Sequence, residues 1–101
     1  MDMKKMMKEL QKMQTKMSKV QNEMEETHFE AEAGGGAVKV VMNGKFEVQG
    51  VKLSKEAVDP DDIESLEDLL LVAFNGAKAK VEMASQEKMG GLTKGLGIPG
   101  M

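Results

Sequence analysis

The sequence predicts an α+β fold: a helix, a three-stranded antiparallel meander and a second helix. Three observations carry that expectation. From Met3 to Met24 the apolar residues recur at alternating spacings of three and four, the period of a helix seam. From His28 to Leu53 the period drops to two, and Gly34-Gly35-Gly36 and Asn43-Gly44 punctuate it as short turns do. From Pro60 onward the helical period returns. A chain of 101 residues suits one small domain, here residues 1–89, followed by a flexible Gly-rich tail at 90–101, GGLTKGLGIPGM.

The first helix is expected over Asp2 to Glu26. Met3, Met6, Leu10, Met13, Met17, Val20 and Met24 form its seam, and no Gly or Pro interrupts it. At ~1.5 Å per residue it spans roughly 37 Å. A compact domain of this size has a radius of gyration of about 13 Å. Part of the helix must therefore project or pack on another molecule. His28 to Ala33 reads as the first strand, Ala37 to Met42 as the second and Lys45 to Leu53 as the third. Asn43-Gly44 is expected to form a two-residue type I′ turn, which needs positive φ at both central residues. Gly50 breaks the alternation between Val48 and Val51, which places a bulge there. Asp59 and Pro60 read as N-cap and first residue of the second helix. That helix runs to about Met89 with Ile63, Leu66, Leu70, Ala73, Phe74, Ala77, Val81 and Ala84 as its apolar stripe. Leu69, Leu71 and Val72 lie off the stripe, so the segment is apolar all round and needs a second cover. In so small a protein that cover is a second copy. Leu66, Leu69, Leu70, Leu71, Val72 and Phe74 are the expected dimerisation residues.

The net charge is -3, which taken whole argues against a nucleic-acid partner. Its distribution argues otherwise. Residues 1–20 carry six lysines against Asp2 and Glu9, a net of +4. Residues 56–68 carry seven acids and no lysine, a net of -7. At about 100° per residue, Lys4, Lys5, Lys8, Lys12, Lys16 and Lys19 share an arc of about 120° opposite the Met seam. The ordinary explanation of such a stripe is a solvated face. Two details point to function. The lysines occupy the helix N-terminus, where the macrodipole disfavours cations, and Glu23 and Glu26 reverse the sign of the same face further on. The first helix enters the sheet and the second leaves it, so side-by-side packing is antiparallel. That brings the lysine-rich start of the first helix towards the lysines of the second. The expected DNA-binding set is Lys4, Lys5, Lys8, Lys12, Lys16, Lys78, Lys80 and Lys88.

Catalytic chemistry finds no footing. There is no cysteine, and His28 is the only histidine, an exposed strand residue. Asp59, Asp61, Asp62 and Glu64 lack the central glycine of a calcium loop and serve as helix caps. GLGIPG at 95–100 matches a dinucleotide-loop string but follows no strand. No metal, cofactor or small-molecule substrate is expected, and the chain is read as non-enzymatic. All fourteen basic residues are lysine, so bidentate guanine recognition is absent. With no Trp or Tyr, and Phe29, Phe46 and Phe74 assigned to the core, no base-stacking platform remains. What is left is phosphate contact, which positions a protein without reading sequence.

The Met/Lys-rich first helix, GAVKVVMNGKFEVQGVKL at 36–53, VDPDDIESLEDLLLVAFNGAKAK at 58–80 and KMGGLTKGLGIPGM at 88–101 resemble the YbaB/EbfC family of bacterial nucleoid-associated proteins. The resemblance covers nearly the whole chain. It implies a tweezer-like homodimer whose projecting helical arms bind double-stranded DNA, alter its conformation and through it gene expression. It also implies a cytoplasmic protein on the nucleoid. Phe46 stands where the family often has a smaller residue. The competing reading is a protein-interaction module that uses the Met seam as a groove for partner helices. A membrane-surface helix fits the Lys-opposite-Met pattern, but an unbroken heptad suits a helix partner better, so no membrane partner is expected.

Overall fold

A computed structural model describes residues 2–95, with side chains through Gly91. Helix α1 spans Met3–Glu26, followed by strands β1 (His28–Ala33), β2 (Val38–Asn43) and β3 (Val48–Leu53) and helix α2 (Ile63–Gly95). The strands form one antiparallel sheet in the order β1-β2-β3. This is the expected α+β architecture. The molecule is elongated, with a radius of gyration of 19.5 Å and extents of 71 × 26 × 16 Å, as the long helices require.

The core lies between α2 and one face of the sheet. Ala73, Ala77 and Val81 present small side chains at helical spacing, and they are fully buried against Ala31, Ala33, Val38, Val40 and Met42. Small residues on both sides let the helix lie close to the sheet. Register then decides what is left over. Val38 pairs with Leu53 and Val40 with Val51, but Met42 pairs with Val48, so Gln49 is an extra residue beside Gly50. The bulge expected at Gly50 is therefore present, and it has a consequence. It turns Val48, Val51 and Leu53 onto the same face as Val38, Val40 and Met42. Yet these three are 47, 46 and 41% exposed. A helix about 10 Å across covers two strands spaced ~4.8 Å apart, not three. α2 covers β1 and β2, and the apolar face of β3 stays open.

Four local expectations are corrected. The hairpin between β2 and β3 is not a type I′ turn. Gly44 does not have a positive φ; Phe46 does, at 63°. Phe46 N–H donates to the Asn43 carbonyl at 3.1 Å and Asn43 N–H to the Glu47 carbonyl at 2.9 Å. The loop thus has three residues, a turn closed by a left-handed residue. Asn43 Oδ1 accepts from the N–H groups of Lys45 and Glu47 and holds it. Phe46 consequently leaves the core and is 48% exposed. Asp59 and Pro60 do not start α2. They form a separate turn, with Asp62 N–H donating to the Asp59 carbonyl at 3.0 Å, and Asp62 caps the helix by accepting from Ser65. Lastly, α2 does not end near Met89. It continues through Gly90 and Gly91 to Gly95, so the first part of the expected tail is helical. Residues 96–101 lie outside the described residues.

Candidate nucleic-acid interface

Among the described residues, α1 is held at one end only. Asp2 caps its start, Oδ1 accepting from Lys4 N–H at 3.0 Å. At its other end Thr27 closes the last turn by donating both N–H and hydroxyl to the Glu23 carbonyl. Met24 is its single buried residue. Gly44 N–H donates to the Met24 carbonyl at 2.8 Å, which docks the hairpin directly on the helix end. Two ion pairs flank that seat. Lys45 pairs with Glu25, and Lys88 Nζ lies 3.0 Å from Glu23 Oε2. Both pairs leave a mark on proton affinity. Hydrogen bonding from Lys88 and its charge lower the Glu23 carboxyl below its ordinary value, and the bond to Glu25 raises Lys45.

Beyond this seat α1 projects as an arm. Lys4, Lys5, Lys8, Lys12 and Lys16 are all exposed along it. Among the described residues none of them has a carboxylate within ion-pairing distance, whereas Lys45, Lys78 and Lys88 each have one. Lys4, Lys5 and Lys8 border a shared hollow near the arm's tip with Asp2. The arrangement is a row of uncompensated ammonium groups on a rigid rod, able to meet a row of phosphates.

The described lysines of the second helix, Lys78, Lys80 and Lys88, are not part of that row. Lys80 Nζ donates to the Glu30 carbonyl on β1, and Lys78 faces Glu82 one turn on. Lys80 is therefore tied to the sheet, and Lys78 to its own helix. Lys88 reaches α1 but is bound to Glu23. Antiparallel packing of the helices is as expected; the meeting of their lysines is not, because α2 passes the base of the arm and not its tip.

The expected dimerisation set is split as well. Leu66, Leu69, Leu70 and Phe74 pack partly buried against the protein's own core. Leu71 and Val72 are 60 and 59% exposed. By the helical wheel, Lys80 marks the flank of α2 towards β1, and Phe74 and Leu71 fall on the opposite flank, towards β3. Val48, Val51 and Leu53, absent from the expected set, extend this apolar surface across the sheet. The signal that finds them is in the sequence: one bulge, counted through the register, and one helix for three strands.

Comparison with known proteins bears on the whole chain. Residues 1–96 match the YbaB/EbfC DNA-binding family. The chain is 56% identical over 100 residues to a nucleoid-associated protein of Staphylococcus carnosus, covering 99% of this chain and 95% of that protein. It is 53% identical over 96 residues to a nucleoid-associated protein of Lachnoclostridium phytofermentans, covering 95% and 81%. Its fold matches the crystal structure of the uncharacterized protein HP0035 from Helicobacter pylori with a TM-score of 0.76 at 24% identity, covering 86% of this chain and 91% of that one.

Proposed function

This chain belongs to the YbaB/EbfC DNA-binding family, a family of nucleoid-associated proteins and not of enzymes, and on that premise we propose that it binds duplex DNA as a homodimer through its α1 arms. The observation that carries the reading is the row of exposed lysines on α1 with no carboxylate partners. Lysine is a point charge without the planar fork that reads guanine, so the contacts are to phosphate and the grip is indifferent to sequence. Lys78, Lys80 and Lys88 play a lesser part, since each already holds a partner in its own chain. Two arms on one dimer engage one duplex at two places, or two duplexes, which changes the path of the DNA and with it the expression of nearby genes. The protein acts in the cytoplasm, on the nucleoid.

The second copy covers the open face. Val48, Val51 and Leu53 with Leu71 and Phe74 form one apolar surface continuous with the core. Burying a side chain of this kind is worth ~1.5–3 kcal/mol. Sedimentation equilibrium at micromolar concentration decides the point, and a single species of 11.0 kDa refutes the dimer.

DNA binding is tested by isotherms at several salt concentrations. With about four to eight phosphate contacts per dimer, log K falls against log salt with a slope of roughly -4 to -7. Changing Lys4, Lys5, Lys8 and Lys12 to Gln keeps helix propensity and removes the charge. Affinity is expected to fall alike on all duplexes, and the slope to drop by about half. Changing Lys39 and Lys52 on the strands is expected to do much less. If the strand variant loses more affinity than the arm variant, the arm does not carry the grip.

A further inference from the structure

The apolar seam of α1 is covered by degrees. At its base Val20 packs against the core. Met17 and Met13 are half-buried. Beyond them Leu10, Met6 and Met3 are 60, 45 and 76% exposed, with Met7 beside them at 59%. The cover comes from α2. It leaves the sheet beyond the buried Val81, Lys88 reaches Glu23 at the base of the arm, and Met89 stands beside Met17 and Val20. It therefore runs along the seam towards the tip. From Met89 to Gly95 it advances ~9 Å, to about the level of Met13. The seam opens at the level where the described part of α2 stops.

The open part of the seam is neutral. By the helical wheel Met3, Met6, Met7 and Leu10 share an arc of about 100°. Lys4 and Glu9, one on each side, lie about 110° from its centre, and Lys5, Lys8 and Lys12 about 150–170° away. The surface therefore suits an uncharged apolar occupant. Residues 96–101, which follow directly on Gly95, read Leu-Gly-Ile-Pro-Gly-Met and carry no charged side chain. From this we infer that residues 96–101 seat on the arm tip of their own chain, with Leu96, Ile98 and Met101 on Met3, Met6, Met7 and Leu10. Reach permits it. Met3 lies ~15 Å beyond the level of Met13, and six residues of extended chain span up to roughly 20 Å. The seat continues what α2 begins. It closes the apolar side of the arm along its length and excludes pairing between the arms of different molecules. The lysines, on the far side of the helix, stay open to phosphate.

The test uses the full chain, which has no cysteine and no Trp of its own. Met6→Cys combined with Ile98→Cys is expected to form a disulfide within one chain, seen as a product of single-chain mass on a non-reducing gel. Lys8→Cys combined with Ile98→Cys is the control, equally near along the helix but on its far side. The first pair is expected to oxidise at least about tenfold faster than the second. Equal rates mean a loose tether and overturn the inference, and a product of double mass places the segment on another molecule and overturns it too. Met6→Trp gives an independent readout. Its emission is expected to shift to the red when Leu96, Ile98 and Met101 are all changed to Ser, and an unshifted emission refutes the seat. Oxidation of the first pair is expected to leave affinity for duplex DNA unchanged; a loss on oxidation puts the segment on the lysine face and is equally fatal. A parent chain that binds no DNA sinks the proposed function alone, because the disulfide and emission measurements are made without DNA.

Discussion

Gly44 is the position at which the seating of the arm is most open to test. A Cβ built there falls 2.5 Å from the Met24 Cβ and 2.6 Å from the Met24 carbonyl carbon, with the Met24 carbonyl oxygen also in contact. These are atoms on the backbone or one bond from it, so no rotamer change relieves the clash and the helix end must move off the hairpin. Two contributions are lost when it does. The Gly44-to-Met24 hydrogen bond is worth about 0.5–1.5 kcal/mol, and unseating the buried Met24 side chain costs ~1.5–3 kcal/mol. Gly44→Ala is therefore expected to destabilise the protein by about 2–4 kcal/mol. At ~4–8 °C per kcal/mol, the Tm falls by roughly 8–30 °C.

The assay separates this cause from the one the sequence suggests. If Gly44 were needed for a left-handed turn, Asn would substitute with little loss, because Asn visits that region readily. If it is needed because α1 approaches its backbone, Asn and Ala carry the same Cβ and cost alike. Thermal melts of Gly44→Ala and Gly44→Asn decide the matter. An Asn variant that melts near the parent, or an Ala variant with an unchanged Tm, refutes the close-contact reasoning.

Phe46 offers the converse case. It holds a φ of 63° with a bulky side chain, a conformation costing about 1–2 kcal/mol, so Phe46→Gly is expected to raise the Tm after Gly's own loss of ~0.5–1 kcal/mol on folding; a lower Tm would show that the exposed ring contributes more than its strain costs. A pH series tests the Lys88–Glu23 clasp. The Glu23 value is depressed in the fold by hydrogen bonding to Lys88, so its contribution is present above the unfolded carboxylate value and disappears as pH falls through the folded one. The stability difference between the parent and Lys88→Gln is expected to be constant near neutrality and to shrink through the acidic carboxylate range; a difference that persists at low pH contradicts the assignment. Changing Glu64, Glu67 and Asp68 to their amides removes three of the seventeen acids and is expected to leave the salt slope of DNA binding unaltered, since these acids stand at the start of α2, away from the arm.

The order and type of the two long helices and the three strands were legible in the sequence, because periods of 3.6 and 2 over long stretches leave little choice; the short 3-10 turn at Lys55–Ala57 was not. Also legible was the fact that α1 outruns its own domain, from helix length against domain size. The failures share a cause: they lie where a distant segment overrides a local preference. Asn43-Gly44 is a strong local signal for a two-residue turn. The end of α1 rests against the Gly44 backbone, and the loop lengthens so that the positive φ passes to Phe46. Gly90 and Gly91 read as a helix stop, yet α2 continues past them. Asp59-Pro60 reads as a helix start, but the chain makes a separate turn first and leaves Asp62 as the cap. In the candidate site, the exposure of the α1 lysines needed only one helix's own geometry and was legible. The uncovered face of β3 needed register and helix width together, and Lys80 needed the contact between α2 and β1.

The same geometry explains how a chain of net charge -3 can hold a polyanion. What a phosphate meets is the field within about one Debye length, ~8 Å at physiological ionic strength. Measured along α1 at ~1.5 Å per residue, Lys12 lies about 18 Å from the seat at Met24 and Lys4 about 30 Å. The tip is thus more than three screening lengths from the seat of the arm on the body. The acidic run at 56–68 belongs to that body, so its field at the tip is largely screened. Near the seat, where Glu23, Glu25 and Glu26 stand on α1 itself, Lys45 and Lys88 engage Glu25 and Glu23 in ion pairs. The sign reversal along α1 therefore has a physical role at each end. Acids at the base clasp the helix to the domain, and at the tip Lys4, Lys5, Lys8 and Lys12 outnumber Asp2 and Glu9 and form no ion pair with them among the described residues. Had the lysines been placed at the base and the acids at the tip, the macrodipole would have been better satisfied and the protein would have had no exposed cationic surface to offer.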